Sequence, residues 1–321
     1  MKKLFALCLF ACTGCDLLFH NEPDGKFLDK VVNLEDFNSQ YDDYNSNLAQ
    51  NRYGHTHLIF SSKREKKDVL NLVYFPAEFS YDRYLHLKHF QSNGTAIYDY
   101  FTTFNKGKSL LSSANGNFNV YGPKMSTHDD LHLPATDEIW LFYADDASGN
   151  MDIKMASQNK NPIAFDIINS PFNDAYPTFS PDGKRIYFCS DRGGNYDIYE
   201  LIIKDEIRTS ISNILNPEQY EIKKVEELSS AYNDKCPYVF RNTMVFVSDR
   251  PGGQGGEDIY YATYENDKWT TPVNAGARVN TTYNEYRPIL PETNFSYMPM
   301  IFSSNRPGGK GGYDLYMIGL K

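Results

Sequence analysis

The chain is short of several things at once, and each shortage excludes a class of protein. Basic charge is scarce: 32 Lys and Arg stand against 41 Asp and Glu in 321 residues, a formal net charge of −9. A phosphate-binding surface normally carries a basic excess, so nucleic acid is not expected as a partner. No apolar run is long enough to span a bilayer as a helix, which excludes a multi-pass helical membrane protein. Cysteine is scarce too. Of five cysteines, only Cys189 and Cys236 lie beyond residue 15, so no disulfide framework stabilises the body of the chain. The sequence has no Gly-x-Ser-x-Gly elbow and no His-Glu-x-x-His pair, which removes two hydrolase signatures. Aromatic residues, by contrast, are plentiful, with 25 Tyr and 21 Phe against only 2 Trp.

The first residues read as a targeting device. Lys2 and Lys3 precede a short apolar stretch, residues 4–11, followed by Cys12, Thr13, Gly14 and Cys15. Such a pattern marks a signal peptide. Its end resembles the lipobox of bacterial lipoproteins, which implies a lipid on Cys15 as the first mature residue; Cys12 is a competing site, and an ordinary secretory signal is the alternative. The expected organisation is a signal at 1–14, a linker at 15–28 and one β-domain at 29–321. The expected address is the bacterial cell envelope, at the outer membrane, attached by the lipid anchor alone.

Beyond the linker the sequence is a repeat. An apolar run ending in a small residue recurs around Ser62, Ser113, Ala144, Ser190, Ser248 and Ser304. Each is followed by a polar or Gly-rich turn and a second run, at residues 68–70, 118–121, 152–153, 196–199, 258–260 and 314–316. These runs are rich in β-branched and aromatic residues, have no helical period, and read as hairpins. The clearest unit covers residues 176–199, where Pro181-Asp182-Gly183 and Arg192-Gly193-Gly194-Asn195 supply its turns. It resembles the TolB-type, WD40-like (PD40) β-propeller repeat, and residues 269–309 resemble the version found beside OmpA-type domains. The resemblance implies an all-β propeller, and the six markers favour six blades. The intervals between markers, 51, 31, 46, 58 and 56 residues, leave the second unit cramped, so the alternative is five blades with an insertion between about 80 and 125. Residues 32–44 match residues 273–286 apart from one deletion, and the last unit stops at its third strand. Residues 30–35 are therefore expected to pair with the C-terminal strand and close the ring.

Three features are expected on one face of the disc. Acids open the innermost strand of each unit: Asp43, Asp99, Asp130, Asp174, Asp234 and Glu285. Arginines follow the second strand: Arg64, Arg192, Arg250 and Arg306. A third set of acids, Asp197, Asp258 and Asp314, begins the third strand. Two readings stand side by side: a carboxylate ring for a cation or basic segment, and ion pairs that hold blades together. The units around Ser113 and Ala144 lack the arginine and add Asp145 and Asp146, so negative charge is expected to be least compensated there. The Gly-rich loops 251–256 and 307–312 read as turns rather than phosphate cradles, since neither opens a helix. The seven histidines, His20, His55, His57, His86, His89, His128 and His132, scatter over the expected strands and do not suggest a metal site; no cofactor is expected. Trp140 and Trp269 read as packing residues. The function expected on this reading is a non-catalytic, envelope-tethered disc that binds an envelope protein, peptide or glycan through one face. A metal-dependent polysaccharide lyase or hydrolase and a structural accessory of an outer-membrane assembly are the alternatives.

Overall fold

Short apolar runs bounded by specified turns can bury both faces only by stacking against their neighbours, and the repeats do so here. The computed structural model describes residues 29–50, 56–82, 84, 87–92, 100–136, 138–158, 160–205, 209–293 and 298–320. Strand β1 (Val32–Asn33) precedes the first blade, β2 (Asp43–Gln50), β3 (Thr56–Lys66), β4 (Val69–Asp82) and β5 (Leu87–Ser92). Helix α1 (Tyr100–Ala114) leads into the second, β6 (Val120–Thr127), β7 (Ile139–Asp145), β8 (Asp152–Ser157) and β9 (Ile163–Ala164). The third is β10 (Asp174–Phe179), β11 (Arg185–Ser190), β12 (Asp197–Ile203) and, after α2 (Ile211–Leu215), β13 (Tyr220–Lys224). The fourth is β14 (Asp234–Phe240), β15 (Thr243–Ser248) and β16 (Asp258–Glu265), against which both β17 (Lys268–Trp269) and β18 (Val273–Asn274) pair. In the fifth, β19 (Glu285–Ile289), β20 (Met298–Ser304) and β21 (Asp314–Leu320) are completed by β1. The innermost strands β2, β6, β10, β14 and β19 touch in a closed ring. The chain is a five-bladed β-propeller.

Ring closure follows the expectation. Val32 lies opposite Met317, Asn33 lies opposite Tyr316, and the Leu34 amide donates to the Leu315 carbonyl at 2.9 Å. The blade number does not follow. Residues 110–113, expected to be a strand, are the last turn of α1, and Leu110, Leu111 and Ala114 pack on Val120, Leu141 and Tyr143. Their spacing suits a helix face as well as a short strand, and a four-residue run cannot separate the two. Residues 118–121, expected to form a third strand, instead open the innermost strand of the second blade.

Neighbouring blades are latched by one repeated position, five residues before each innermost strand opens. Asn38 receives the Leu315 amide and donates to the Leu315 carbonyl, at 2.8 and 2.9 Å. Asn115 does the same to Leu72, Asn169 to Ile153, and Asn280 to Ile259; Ser229 takes the place for Ile198. Each side chain mimics an extra strand residue and satisfies backbone groups that would otherwise be orphaned at the blade boundary. In the second blade the latch directly follows α1, so the helix replaces the short turn used elsewhere.

Each innermost strand also carries a bulge at its third residue, where the pairing register slips. The bulged residues, Asn45, Gly122, Tyr176, Cys236 and Arg287, all have left-handed φ between 45 and 61°. Four of them precede a proline, which has no amide to donate and so tolerates the broken ladder. The bulges turn these five positions toward the axis. A Cβ at Gly122 would run into the Tyr176 ring, and Arg287 of the fifth blade reaches Tyr176 of the third, skipping the fourth.

Candidate functional site

The acids that open innermost strands are closed off. Asp43, Asp174, Asp234 and Glu285 have no exposed surface. Each accepts from the amide and hydroxyl of a residue four positions earlier, as Asp174 does from Ser170 at 2.7 Å for both. Each also receives an arginine Nη2: Arg64 on Asp43 at 2.7 Å, Arg192 on Asp174 at 2.6 Å, Arg250 on Asp234 at 2.5 Å and Arg306 on Glu285 at 2.9 Å. The same Nη2 reaches a backbone carbonyl of the preceding loop, of Phe37, Ile168, Leu228 or Val279, while Nε donates to a serine hydroxyl at the end of the second strand. Each guanidinium lies over two rings of its own blade, as Arg192 does over Phe188 and Tyr199. This is a buried clamp joining two strands to a loop, and its carboxylates have no free side toward solvent. Burial pushes the Glu285 carboxyl above its ordinary range even with Arg306 against it.

The second blade departs from this plan. Val120 stands where the other blades have the acid, and Asp145 stands opposite it where they have serine. Lys154 pairs with the buried Asp145 at 2.8 Å, so its charge is compensated, contrary to expectation. Asp146 accepts from the Asn119 amide and side chain, at 2.8 and 2.7 Å, and lies 3.4 Å from the Tyr121 hydroxyl. Asp130 does not open a strand. It sits in the turn after β6 and accepts from Thr127, because the innermost strand of the blade it was assigned to opens at Val120 instead. Asp99 lies outside the described residues, as do Cys15 and the whole stretch 1–28.

What lines the central mouth on this face is a different set. Tyr44, Tyr121, Lys235 and Tyr286 are the second residues of their innermost strands; Tyr196, Glu257 and Tyr313 immediately precede third strands. All seven are partly exposed. Ring centroids are 5.3 Å apart for Tyr44 and Tyr313, 6.1 Å for Tyr44 and Tyr286, and 6.3 Å for Tyr286 and Tyr313. Lys235 Nζ lies 5.5 Å from the Tyr196 ring centre and 5.4 Å from that of Tyr286, and it is ion-paired with Glu257. Burial works to lower the Lys235 ammonium, but Glu257 outweighs it and holds the group above its ordinary value. Burial, then the Asp146 charge, pushes the Tyr121 phenol up to about 12. The mouth is thus a set of neutral rings around one ion pair, with Asp146 to one side. It can stack apolar faces and hydrogen-bond hydroxyls. Sequence reading passed over these residues, although their places are fixed one position after the strand-opening acid or one before the third-strand acid.

The other candidates settle into structural places. Gly255 and Gly311, in the Gly-rich loops, pass so close to the backbone at Thr281–Tyr283 and Ser39–Tyr41 of the next blade that a Cβ would collide. Trp140 and Trp269 are buried, the latter against Tyr187 and Tyr264. Among the described residues, no group of three or more His, Cys, Asp or Glu could hold a metal ion; His20, His55 and His86 lie outside them.

No protein family's sequence profile matches the chain, and no curated protein sequence does. Solved structures do. The chain is similar to a thermostable family-43 glycoside hydrolase, with a TM-score of 0.55 and 12% identity over 87% of this chain and 89% of that one. It is also similar to the catalytic domain of the Coprinopsis cinerea GH62 α-L-arabinofuranosidase, with a TM-score of 0.52 and 13% identity over 92% and 97%. TolB from Acinetobacter baumannii is a looser likeness, with a TM-score of 0.38 and 14% identity over 85% and 65%. At such identities the likeness is one of fold. It nevertheless runs against two expectations, that the disc is non-catalytic and that the chain is not an enzyme, since these two structures of like fold are a glycoside hydrolase and an arabinofuranosidase.

Proposed function

We propose that the chain hydrolyses glycosidic bonds in a glycan held at the tyrosine-lined mouth. The observation that carries this reading is the convergence of Tyr44, Tyr196, Tyr286 and Tyr313 from three blades around the Lys235–Glu257 pair. Flat aromatic faces suit the C–H faces of sugar rings, and a nearby ammonium and carboxylate suit their hydroxyls. The glycan-cleaving enzymes of like fold add support. Hydrolysis of this kind needs two carboxyl groups flanking the scissile bond, about 5–5.5 Å apart for retention and about 6.5–9.5 Å for inversion. The clamped acids are too enclosed for either role, so the reading assigns the two carboxyl roles to the partly exposed Glu257 and Asp146. Lys235 orients Glu257 and binds substrate hydroxyls.

The purified protein is assayed against 4-nitrophenyl α-L-arabinofuranoside and β-xyloside, arabinan and arabinoxylan. Release of sugar by the wild type is expected, falling at least about 100-fold in Glu257→Gln and in Asp146→Asn, with urea midpoints unchanged. No release from any of the four, or full activity in both variants, refutes the assignment.

A further inference from the structure

Among the described residues, one buried cation lacks a partner of opposite sign. Arg287, at the bulge of β19, is fully buried, yet no carboxylate pairs with it among the described residues. Its Nη1 donates to the Pro237 carbonyl at 3.0 Å, and its guanidinium carbon lies 5.3 Å from the Tyr176 ring centre and 6.0 Å from that of Tyr238. Nε and Nη2 are buried with no hydrogen-bond partner. The four clamp arginines each spend Nε on a hydroxyl and Nη2 on a carboxylate, so Arg287 is the exception. The nearby Cys236 thiol is pushed up to about 12, chiefly by burial, and so remains neutral rather than serving as counter-ion.

A buried, uncompensated guanidinium is strongly unfavourable. The free edge is also chemically specific. Nε–H and one Nη2–H point in parallel, the fork with which arginine grips an anion through two hydrogen bonds. Asn45 occupies the same bulge position in the adjoining first blade, and its Oδ1 and Nδ2 are likewise buried without partners. Tyr286 immediately precedes Arg287, and its hydroxyl meets that of Tyr176 at 3.1 Å, linking the fifth and third blades beside the guanidinium. The fork is itself buried, which points to a resident ion rather than to part of a substrate.

We propose that a small monovalent anion, a halide or a formate-sized carboxylate, sits on the axis of the disc against Nε and Nη2 of Arg287, with Asn45 Nδ2 as a further donor. It neutralises the buried charge and ties the fifth blade to the first.

The test uses wild-type protein freed of halide in gluconate buffer. Thermal unfolding is followed as chloride, bromide or formate replaces gluconate at constant ionic strength. A saturable rise in Tm of about 2–6 °C is expected, and comparing the halide and formate arms separates an inorganic ion from a carboxylate. Arg287→Met should lose the dependence. Should that variant not fold, crystals of the wild type soaked in bromide decide the matter through an anomalous peak within about 3.5 Å of Nε and Nη2. The same Tm in every salt, or ordered bromide-soaked crystals without a peak on that edge, overturns the proposal. Glycoside hydrolysis at the mouth is read out separately and stands or falls without it.

Discussion

Four blades and the second blade solve the same problem differently. Where the innermost strand meets the second, the first, third, fourth and fifth blades bury a carboxylate and bring an arginine to it. The second buries Asp145 on the other strand of the pair and brings Lys154 from the third strand instead. The arginine clamp hydrogen-bonds a carbonyl of the loop entering the blade, such as that of Ile168, whereas the lysine faces that loop's Phe118 ring, its Nζ 5.9 Å from the ring centre. In the second blade that loop is preceded by α1, whose buried Leu110, Leu111 and Ala114 supply the anchorage. The comparison teaches that the propeller requires an anchored lead-in loop and a compensated charge, and that neither needs a fixed residue.

The sharpest way to break the comparison is Arg192→Met, which leaves Asp174 buried and unpaired. A loss of about 3–5 kcal/mol in urea unfolding is expected. More than half should return in the double variant with Asp174→Val, the residue type the second blade uses; a loss under about 1 kcal/mol would show that the clamp is dispensable. Lys154→Met should cost less, about 2 kcal/mol, because Lys154 donates one side-chain hydrogen bond where Arg192 donates three. Adding Asp145→Ser, the residue at this place in the other blades, should recover it; failure to recover would mean that the two arrangements are not interchangeable. Smallest of all, Asn280→Ala and Asn115→Ala should each cost about 1–2 kcal/mol and by similar amounts, since both latches make the same two backbone hydrogen bonds. A much larger effect at Asn115 would mark the helix-led boundary as the more critical.

Much of this was legible before folding. The arginine and acid series, the turns and the closing strand are all local patterns, and the structure places them on one face as the hairpin order requires. The blade number was misread because residues 110–113 imitate a strand end. A better counter was present: the six residues running from the latch to the strand-opening position recur at 38–43, 115–120, 169–174, 229–234 and 280–285. They recur five times, once per blade. The second copy escaped notice because Gly116 and Val120 replace the serine or threonine and the acid that mark the others. Asp130 was drawn in for the same reason, as a substitute for an acid that the second blade does not use.

By itself, then, the sequence determined the repeat, the turn chemistry, the pairing of each arginine with an acid of its own blade, and the seam between the first and last strands. These depend on residues close in the chain or on one matched motif. Only the tertiary structure decided that five units close the ring, that tyrosines from three blades converge at the mouth, and that Arg287 meets Tyr176 across the axis without a counter-charge. Such contacts join residues as far apart in the chain as Tyr44 and Tyr313. They exist because a closed ring brings one position of every unit to a common axis, a constraint that no single repeat records.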